Sequence, residues 1–492
     1  MTEIELKFQV PAQARQRVAA AVAGRGAAPR VQRLQAAYFD TDDARLAQAG
    51  VALRLRREGR RWVQTLKADG DDALTRLEHN VERPARGATP PAPDLSLHAG
   101  TPAGERLAAV LAGHPGAVLS CRYRTDIRRT CRTLRSHGAR LELAFDEGRI
   151  VAGERTLPVC ELEIELLGGE VAGLLATARE WVSRHGLWLD TRSKAERGTL
   201  LAAGLTRAAA RKASRVALPE RIGRAAARRA VLAECLRHAA ANASQVASGD
   251  FGAEHVHQWR VALRRLRSAL RLFEDDPAGP LAGPAASLFR ALGAARDEAA
   301  IGGPLRERLA RAIAALGLPW SPPAWPGRDA GDPAQVARSP HGQALLLALI
   351  ETSLPAAPAA ADEPAAAPLR RRLARWHRRV VEGARRFDVL DDEARHRLRK
   401  RVKRLRYGVE FARDLLAGRR TADYLAALAE LQERLGSFND ASVAIDAWRG
   451  APADEPAVAF ALGWLSARRE GLVAEVRTAA EDFAAAPHPW KR

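Results

Sequence analysis

Segments in which aliphatic and charged side chains alternate recur at 2–9, 34–41, 51–57, 62–68, 76–82, 121–130, 139–147 and 159–167. A period of two puts the two kinds of side chain on opposite faces of a strand. Ile4, Leu6 and Phe8 thus oppose Glu3, Glu5 and Lys7, and Val51, Leu53 and Leu55 oppose Arg54 and Arg56. Leu77 and Val81 oppose Arg76, Glu78, Asn80 and Glu82; Leu141, Leu143 and Phe145 oppose Glu142 and Asp146; Leu162, Ile164 and Leu166 oppose Glu161, Glu163 and Glu165. Eight such strands with no parallel crossovers predict an antiparallel barrel. Two arrangements satisfy the pattern. Either the apolar faces fill the barrel and the charges meet water, or the charges line the inside and helices such as 11–24 and 171–185 cover the apolar faces. Three successive glutamates on one strand face repel one another. A divalent cation offsets that repulsion, because Mg²⁺ and Mn²⁺ take carboxylate oxygens and leave positions for a phosphate.

A chain of 492 residues exceeds the size at which one core stops growing, so two or three domains are expected. Its formal net charge of +20 points to a polyanionic partner: nucleic acid, an acidic membrane surface or a polyphosphate. Arginine dominates the basic residues, and its planar fork suits bidentate phosphate contact. Cys121, Cys131, Cys160 and Cys235 have neither CxxC pairing nor metal-ligand spacing, which fits reduced thiols in a cytoplasm. Charged residues from position 3 onward and the lack of an 18-residue apolar stretch make a soluble cytoplasmic protein the expectation.

The basic stretch 206–219 ends at Pro219, and a domain boundary is placed there. Beyond about 220, Ala, Leu and Arg recur with helical period, and Pro277, Pro280, Pro284 and Pro304 read as breaks between helices. Segments 318–340 and 355–368, rich in proline, read as irregular connectors. An internal repeat runs through this half. His257, Arg260, Arg264, Arg267 and Arg271 form one helical stripe, and His396, Arg399, Lys403 and Arg406 form another at an offset of 139 residues. That register matches Arg264, Arg265 and Arg267 with Lys403, Arg404 and Arg406, and the tails LGAARD ending at Asp297 and LGSFND ending at Asn439 and Asp440 follow. A like-charged stripe would repel a coiled-coil partner. One basic side chain per turn, about 5.4 Å apart, suits a row of phosphates, in a polyphosphate or in a nucleic-acid backbone.

The charged strands also carry specific motifs. ExExK at Glu3, Glu5 and Lys7 is followed by YFDT from Tyr38 to Thr41, LRLR with Arg54 and Arg56, TLK ending at Lys67 and RLEHNV with Arg76 and Glu78. A TDxxR run with Thr125 and Arg129, ELAFDEG with Glu142, Asp146 and Gly148, CELEIEL, and SKAERG with Ser193, Lys194, Arg197 and Gly198 complete the series. In this order they make residues 1–205 resemble the CYTH family of triphosphate tunnel metalloenzymes. The visible departure is Ile127, where that family often has an aromatic residue. The resemblance implies an eight-stranded antiparallel barrel enclosing a charged tunnel that binds a triphosphate with a divalent metal. It assigns Lys7, Arg54, Arg56, Lys67, Arg129, Lys194 and Arg197 to the triphosphate, and Glu3, Glu5, Glu163 and Glu165 to Mg²⁺ or Mn²⁺. Glu78, Glu142 and Glu161, with Lys7, complete the catalytic set, the glutamates as ligands of a second metal or in orienting the attacking water. Hydrolysis of a phosphoanhydride needs charge neutralisation, an in-line water and a stabilised leaving group, so it rests on positioning and electrostatics.

The motifs VHxxRVxxRRLR at 256–267, HRLRKRVKRLRY at 396–407 and LGxFND at 435–440 make residues 220–485 resemble the CHAD domain. That resemblance implies two four-helix bundles around a basic groove that binds inorganic polyphosphate. Its ligands would be His257, Arg260, Arg264, Arg265, Arg267, Arg271, His396, Arg399, Lys403, Arg404 and Arg406. Nucleic acid is not the expected partner: no helix-turn-helix signature, zinc site or aromatic stacking platform is evident, and aromatic residues make up only 5% of the chain. The expected fold class is α+β, a tunnel barrel followed by an all-α domain. The expected function is metal-dependent hydrolysis of inorganic triphosphate to pyrophosphate and phosphate, with polyphosphate bound by the helical half and polyphosphate granules as a place of association. Two alternatives stand beside it: a non-catalytic polyphosphate-binding protein, or an enzyme that processes a nucleoside or thiamine triphosphate.

Overall fold

The structure, a computed structural model, describes residues 2–24, 29–70, 75–84, 87, 89–114, 116–273, 280–293, 301–326, 331–354, 363–450 and 455–490, the side chains of 2, 3, 75 and 76 excepted. It divides into two compact units, one of Met1–Arg211, Ala239–His255 and Ala337–Glu351, the other of Lys212–His238, Val256–Val336 and Thr352–Arg492.

The first unit holds one antiparallel sheet of β1 (Thr2–Gln9), β2 (Arg30–Asp40), β3 (Val51–Glu58), β4 (Arg61–Asp69), β5 (Thr75–Arg83), β6 (Ser120–Ser136), β7 (Ala139–Ala152), β8 (Arg155–Gly168) and β9 (Trp188–Leu189). The order is β5-β4-β3-β2-β6-β7-β8-β1-β9, and a further β1–β5 pairing closes the first eight into a ring. The sheet therefore has nine strands where eight were expected. Thr2, Glu3 and Ile4 pair with β5, which leaves the same edge of β1 open at Phe8 and Gln9 for Leu189 and Trp188. Two buried apolar residues are too short a run to show a period of two.

Directly paired residues share a face, and the register puts like with like. Glu5 opposes Glu165, Lys7 opposes Glu163, and Gln9 opposes Glu161; Glu142 opposes Glu165, and Asp146 opposes Glu161. These charged residues look inward. Their apolar neighbours Leu6, Phe8, Leu143, Phe145, Leu162 and Ile164 are buried, and α1 (Arg15–Ala23) packs on β6 and β7 while α4 (Val171–His185) packs on β7 and β8. Helices α2 (Arg45–Gln48) and α3 (Pro102–Leu111) cover Leu53, Leu66 and Ala68 through Leu46, Ala103 and Leu107. Of the two arrangements open to the sequence, the structure has the charges inside.

One part of the inner face is apolar. There α5 (Lys194–Ala202) brings Ala195, Leu201 and Ala202 against Leu34, Ala36, Tyr38, Tyr123 and Ile127. Its start is fixed by a reciprocal capping box, Ser193 Oγ accepting from Glu196 N at 3.0 Å and Glu196 Oε2 from Ser193 N at 2.6 Å. A Cβ at Gly198 would lie 2.2 Å from Tyr123 Cε2. Only glycine lets the helix come this close.

The helical part continues with α6 (Arg224–Ala247), α7 (Ala253–Phe273), α8 (Ala282–Ala291), α9 (Gly303–Ala315), α10 (Pro333–Arg338), α11 (Pro340–Ser353), α12 (Ala366–Arg385), α13 (Asp392–Phe411), α14 (Gly418–Trp448) and α15 (Pro456–Ala485). From α12 to α15 each helix packs on the next, and α12 also packs on α15. Several prolines read as breaks or connectors instead sit in first turns: Pro284 in α8, Pro304 in α9, Pro333 in α10, Pro340 in α11 and Pro368 in α12. A first-turn residue has no intrahelical N–H bond to lose. Asp332 Oδ1 accepts from Ala334 N at 2.9 Å and Ser339 Oγ from Gly342 N at 3.1 Å, so these starts are also capped. Pro277 and 355–362 lie outside the described residues. No helix among the described residues is long and apolar enough to cross a membrane.

Candidate active site and basic helical face

A cavity of about 470 Å³ inside the ring is lined by Lys7, Arg54, Arg56, Lys67, Arg129 and Lys194, and by Glu5, Glu78, Glu142, Asp146, Glu163 and Glu165. Glu161 and Arg197, expected in the same site, are not among the lining residues. Both are buried in an ion network whose other members, Lys194, Arg129, Asp146 and Glu163, do line the cavity. Lys194 Nζ stands 2.7 Å from Asp146 Oδ2 and 2.8 Å from Glu163 Oε1 and also donates to Glu161. Arg129 forks onto Asp146 with two bonds of 2.7 Å and reaches Glu163, the bidentate geometry that gives the strongest pairs. Glu161 accepts from Arg197, and from Gln9 Nε2 at 3.2 Å. Burial by itself would push the Glu161 carboxyl up, but Lys194, Arg197 and Lys7 outweigh it and hold it at about 2. Burial opposes ionisation of Glu163 in the same way, and Arg129 and Lys194 hold its carboxyl well below the usual range.

Other groups around the cavity are less well matched. Lys7 is 8% exposed and forms no ion pair among the described residues. Arg54 Nη1 reaches only Tyr38 OH, at 3.4 Å, and its Nε is buried without a hydrogen-bond partner. Arg56 has Glu58 Oε1 2.7 Å from its Nε, yet burial and then the neighbouring Arg54 charge pull its guanidinium below the usual value. Next to Lys7 on the inner face, Glu5, Glu165 and Glu142 lie side by side on β1, β8 and β7. The nearest cation to Glu142 is Arg30 at 3.9 Å, while Glu5 and Glu165 have no ion-pair partner among the described residues. Burial first, then Glu142 and Glu5, push the Glu165 carboxyl up. Glu3 precedes Glu5 on the same face, but its side chain lies outside the described residues. Lys67 Nζ is 2.6 Å from Glu78 Oε2, and Asn80 Nδ2 donates to Glu78 Oε1 at 2.8 Å.

Two sets of carboxylates face each other across neighbouring strands, and they differ in spacing and in charge balance. Asp146, Glu161 and Glu163 offer oxygens within 4.8 Å of one another, but the ammonium of Lys194 is bonded to all three and takes the cation's place. Glu5, Glu142 and Glu165 have no such internal cation. The donor set is all oxygen, and Arg30 and Lys67 offset its repulsion only in part, since the Glu165 carboxyl is still pushed up, which fits Mg²⁺ or Mn²⁺.

Sequence reasoning gave no role to Asp146, although it shares a strand face with Glu142. It also missed an aromatic pair. Tyr38 and Tyr123 stack in the cavity wall with centroids 4.7 Å apart, and the Tyr123 hydroxyl donates to Ala195 O at 3.0 Å. Eighty-odd residues separate the two rings, so no local pattern brings them together.

In the second unit the expected polyphosphate residues divide between two faces. Arg260, Arg264 and Arg267 gather on the Phe289 ring at 4.4, 5.7 and 5.8 Å from its centroid. Burial and then Arg271, Arg290 and Arg264 lower the Arg267 guanidinium. Arg404 lies 5.9 Å from the Trp376 ring. His257, Arg265 and Arg406 instead line a separate cavity of about 610 Å³, in which Glu410 is the one carboxylate among the lining residues. For Arg265 the division follows from a rotation of about 100° per helical residue, which turns it away from Arg264. His396 Nδ1 meets Asn439 Oδ1 at 2.9 Å, and Arg399 Nη2 is 3.6 Å from Asp440. Burial, opposed by the Asn439 contact and assisted by Lys400 and Arg399, lowers the His396 imidazolium. Lys403 lies on the same helix, and Asp297 is outside the described residues.

Comparison with known proteins matches residues 1–199 to the CYTH domain and residues 230–449 to the CHAD domain. An inorganic triphosphatase of Haemophilus influenzae is 30% identical over 167 residues, which is 33% of this chain and 44% of that protein. The chain therefore spans less than half the length of this curated relative. Among solved structures, the CHAD domain of the plant Ricinus communis is 31% identical, covers 57% of this chain and 99% of its own, and superposes with a TM-score of 0.46. A putative adenylate cyclase of Bacillus halodurans is 20% identical and covers 40% of this chain and 96% of its own, with a TM-score of 0.28. The chain is a fusion of a CYTH domain with a CHAD domain.

Proposed function

We propose that the barrel is a divalent-metal-dependent triphosphatase that hydrolyses inorganic triphosphate to pyrophosphate and phosphate, and that the helical half binds inorganic polyphosphate. One observation carries the first part. A single cavity brings together the cations Lys7, Arg54 and Arg56, with Arg54 Nε lacking a hydrogen-bond partner, and the carboxylates Glu5, Glu165 and Glu142, of which Glu165 is pushed up by burial and then by the other two. That division of charge suits a polyanion loaded together with a divalent cation. The inorganic triphosphatase relative supports the same reading.

Arg54, Arg56 and Lys7 bind the phosphoryl oxygens and stabilise charge as the bridging P–O bond breaks. Glu5, Glu142 and Glu165 would hold the metal, which when bound neutralises phosphate oxygens and organises the in-line geometry. Glu78, fixed by Asn80 and Lys67, accepts the proton of the attacking water. Arg129, Lys194 and Arg197 form the frame that fixes Asp146, Glu161 and Glu163. In the helical half, two four-helix bundles would present Arg260, Arg264, Arg267, Arg271 and the α13 cations to the polymer.

The test measures phosphate release from inorganic triphosphate, ATP and long-chain polyphosphate by the full chain, after chelation and after return of Mg²⁺ or Mn²⁺. Metal-dependent release from inorganic triphosphate above the other two is expected; no metal-dependent release from any of them rejects the enzyme. For the helical half, joint reversal of Arg264 and Lys403 to glutamate is expected to abolish polyphosphate binding, and undiminished binding would place the polymer elsewhere.

A further inference from the structure

The internal repeat is asymmetric where it matters most for charge. At the offset of 139 residues, Arg265 corresponds to Arg404, and Glu410 corresponds to Arg271. Arg265 of α7 donates from Nη1 to Glu410 Oε2 of α13 at 2.6 Å, and its guanidinium lies 4.6 Å from the Phe411 ring and 5.3 Å from that of Tyr407. Glu410 also accepts from Arg406 Nε at 3.0 Å. The carboxylate thus holds two cations at one contact between the helices. At the repeat-related contact the roles are not preserved. There Arg404, on the Trp376 ring, is surrounded by like charge, and burial followed by repulsion from Arg271, Arg267, Arg401 and Arg379 lowers its guanidinium to about 10. Arg265 meets Glu410, and a pseudo-two-fold axis relating the repeats makes Arg404 and Arg271 the equivalent pair. One contact is neutralised from within, and the other is not neutralised by any described residue.

We infer that Glu410 occupies, at one of these two pseudo-equivalent contacts, the place that a phosphate group takes at the other, so that the helical half binds a polyphosphate chain on the Arg267, Arg271 and Arg404 side alone. The inference rests on the polyphosphate reading of this half. Its physical basis is competition. A carboxylate already 2.6 Å from Arg265 must be displaced before a phosphate can use that guanidinium, whereas Arg404 and Arg271 gain a counter-charge on binding. Glu410 is therefore a specificity residue, which limits how many phosphates one chain can engage.

The experiment titrates a sodium polyphosphate of defined chain length into the full chain at several salt concentrations, with Glu410→Gln and Arg271→Glu variants beside the wild type. Glu410→Gln releases Arg265 and Arg406. It is expected to raise affinity about tenfold at low salt and to steepen the salt dependence by about two charges, in line with counterion release from a polyanion. Arg271→Glu places a carboxylate at the second contact and is expected to lower affinity at least about tenfold, since neutralisation of phosphates by Lys and Arg supplies most of the affinity for a polyanion. If the wild type binds and Glu410→Gln binds no more tightly, the polyphosphate reading stands and the one-sided site is refuted. Undiminished binding by Arg271→Glu refutes it independently, even if Glu410→Gln fails to fold. A wild type that does not bind polyphosphate overturns both.

Discussion

Replacing Lys194 with methionine keeps the aliphatic stem and removes one charge from the centre of Asp146, Glu161 and Glu163. The ammonium is bonded to all three carboxylates and its side chain is 12% exposed. Breaking a buried ion pair from one side costs about 3–5 kcal/mol because the partner charge remains. Arg129 still holds Asp146 and Glu163, and Arg197 still holds Glu161, which puts the expected loss near the lower end, about 3 kcal/mol. For a unit of this size each kcal/mol moves the midpoint by about 2–4 °C. Scanning calorimetry of the full chain should therefore show one transition lowered by about 6–12 °C, with hydrogen exchange accelerated in α5. The sign with pH follows from Glu161. Its carboxyl is depressed to about 2 in the fold, so its contribution is present above the ordinary carboxylate range and is lost as pH falls through about 2. The gap between wild type and variant should shrink over that acidic interval. A shift below about 2 °C, or a gap independent of pH, would show that the network does not hold α5.

Glu5→Gln removes one of three mutually repelling carboxylates, so turnover should fall by two orders of magnitude or more, on the order of a lost metal or transition-state contact, while the midpoint stays level or rises; near-normal activity would move the metal away from Glu5. The raised Glu165 carboxyl favours its protonated form in the metal-free fold, a stabilisation present at low pH and lost as pH rises through its folded value. Stabilisation by Mg²⁺ should accordingly grow across the same interval, and a calorimetric metal response that is flat with pH would contradict this. Gly198→Ala brings a Cβ to 2.2 Å from the Tyr123 ring and is expected to cost at least about 1–3 kcal/mol and to displace Lys194; a wild-type melting curve would refute the close approach.

The barrel was legible because each strand is long enough for its period to show, and because helices cover the apolar faces of the same strands that line the cavity. What the sequence left open was the direction of the charged faces, which the coverage of Leu6 and Phe8 decides. Motif resemblance assigned Glu161 and Arg197 to the site, whereas neither lines the cavity, since Glu161 is bonded by Lys194, Arg197 and Gln9. Residue type cannot distinguish a charge that meets a ligand from one that holds another charge. Asp146 shows the converse, a motif residue whose fork with Arg129 is a cross-strand pairing. In the helical half, one-dimensional stripes grouped His257 with Arg260, whereas Arg260 lies on the Phe289 ring and His257 lines the cavity that Arg265 shares. Prolines were misread because the same residue that ends one helix is tolerated in the first turn of the next.

The closure of the ring at β1 also sets an order of assembly. Gln9 reaches Glu161 across 152 residues of sequence, and the two halves of β1 need β5, β8 and β9 as neighbours. Contacts so distant in sequence form late and slowly. During synthesis, the Glu3-to-Lys7 strand leaves the ribosome long before its partners and waits unpaired until the segment through Leu189 has followed. The cavity therefore comes into being in one step, at the final strand pairing, and a ligand that needs Glu5 together with Glu165 can bind only a finished ring. Nucleotide or triphosphate added during refolding should leave the rate of closure unchanged and act afterwards, by slowing reopening.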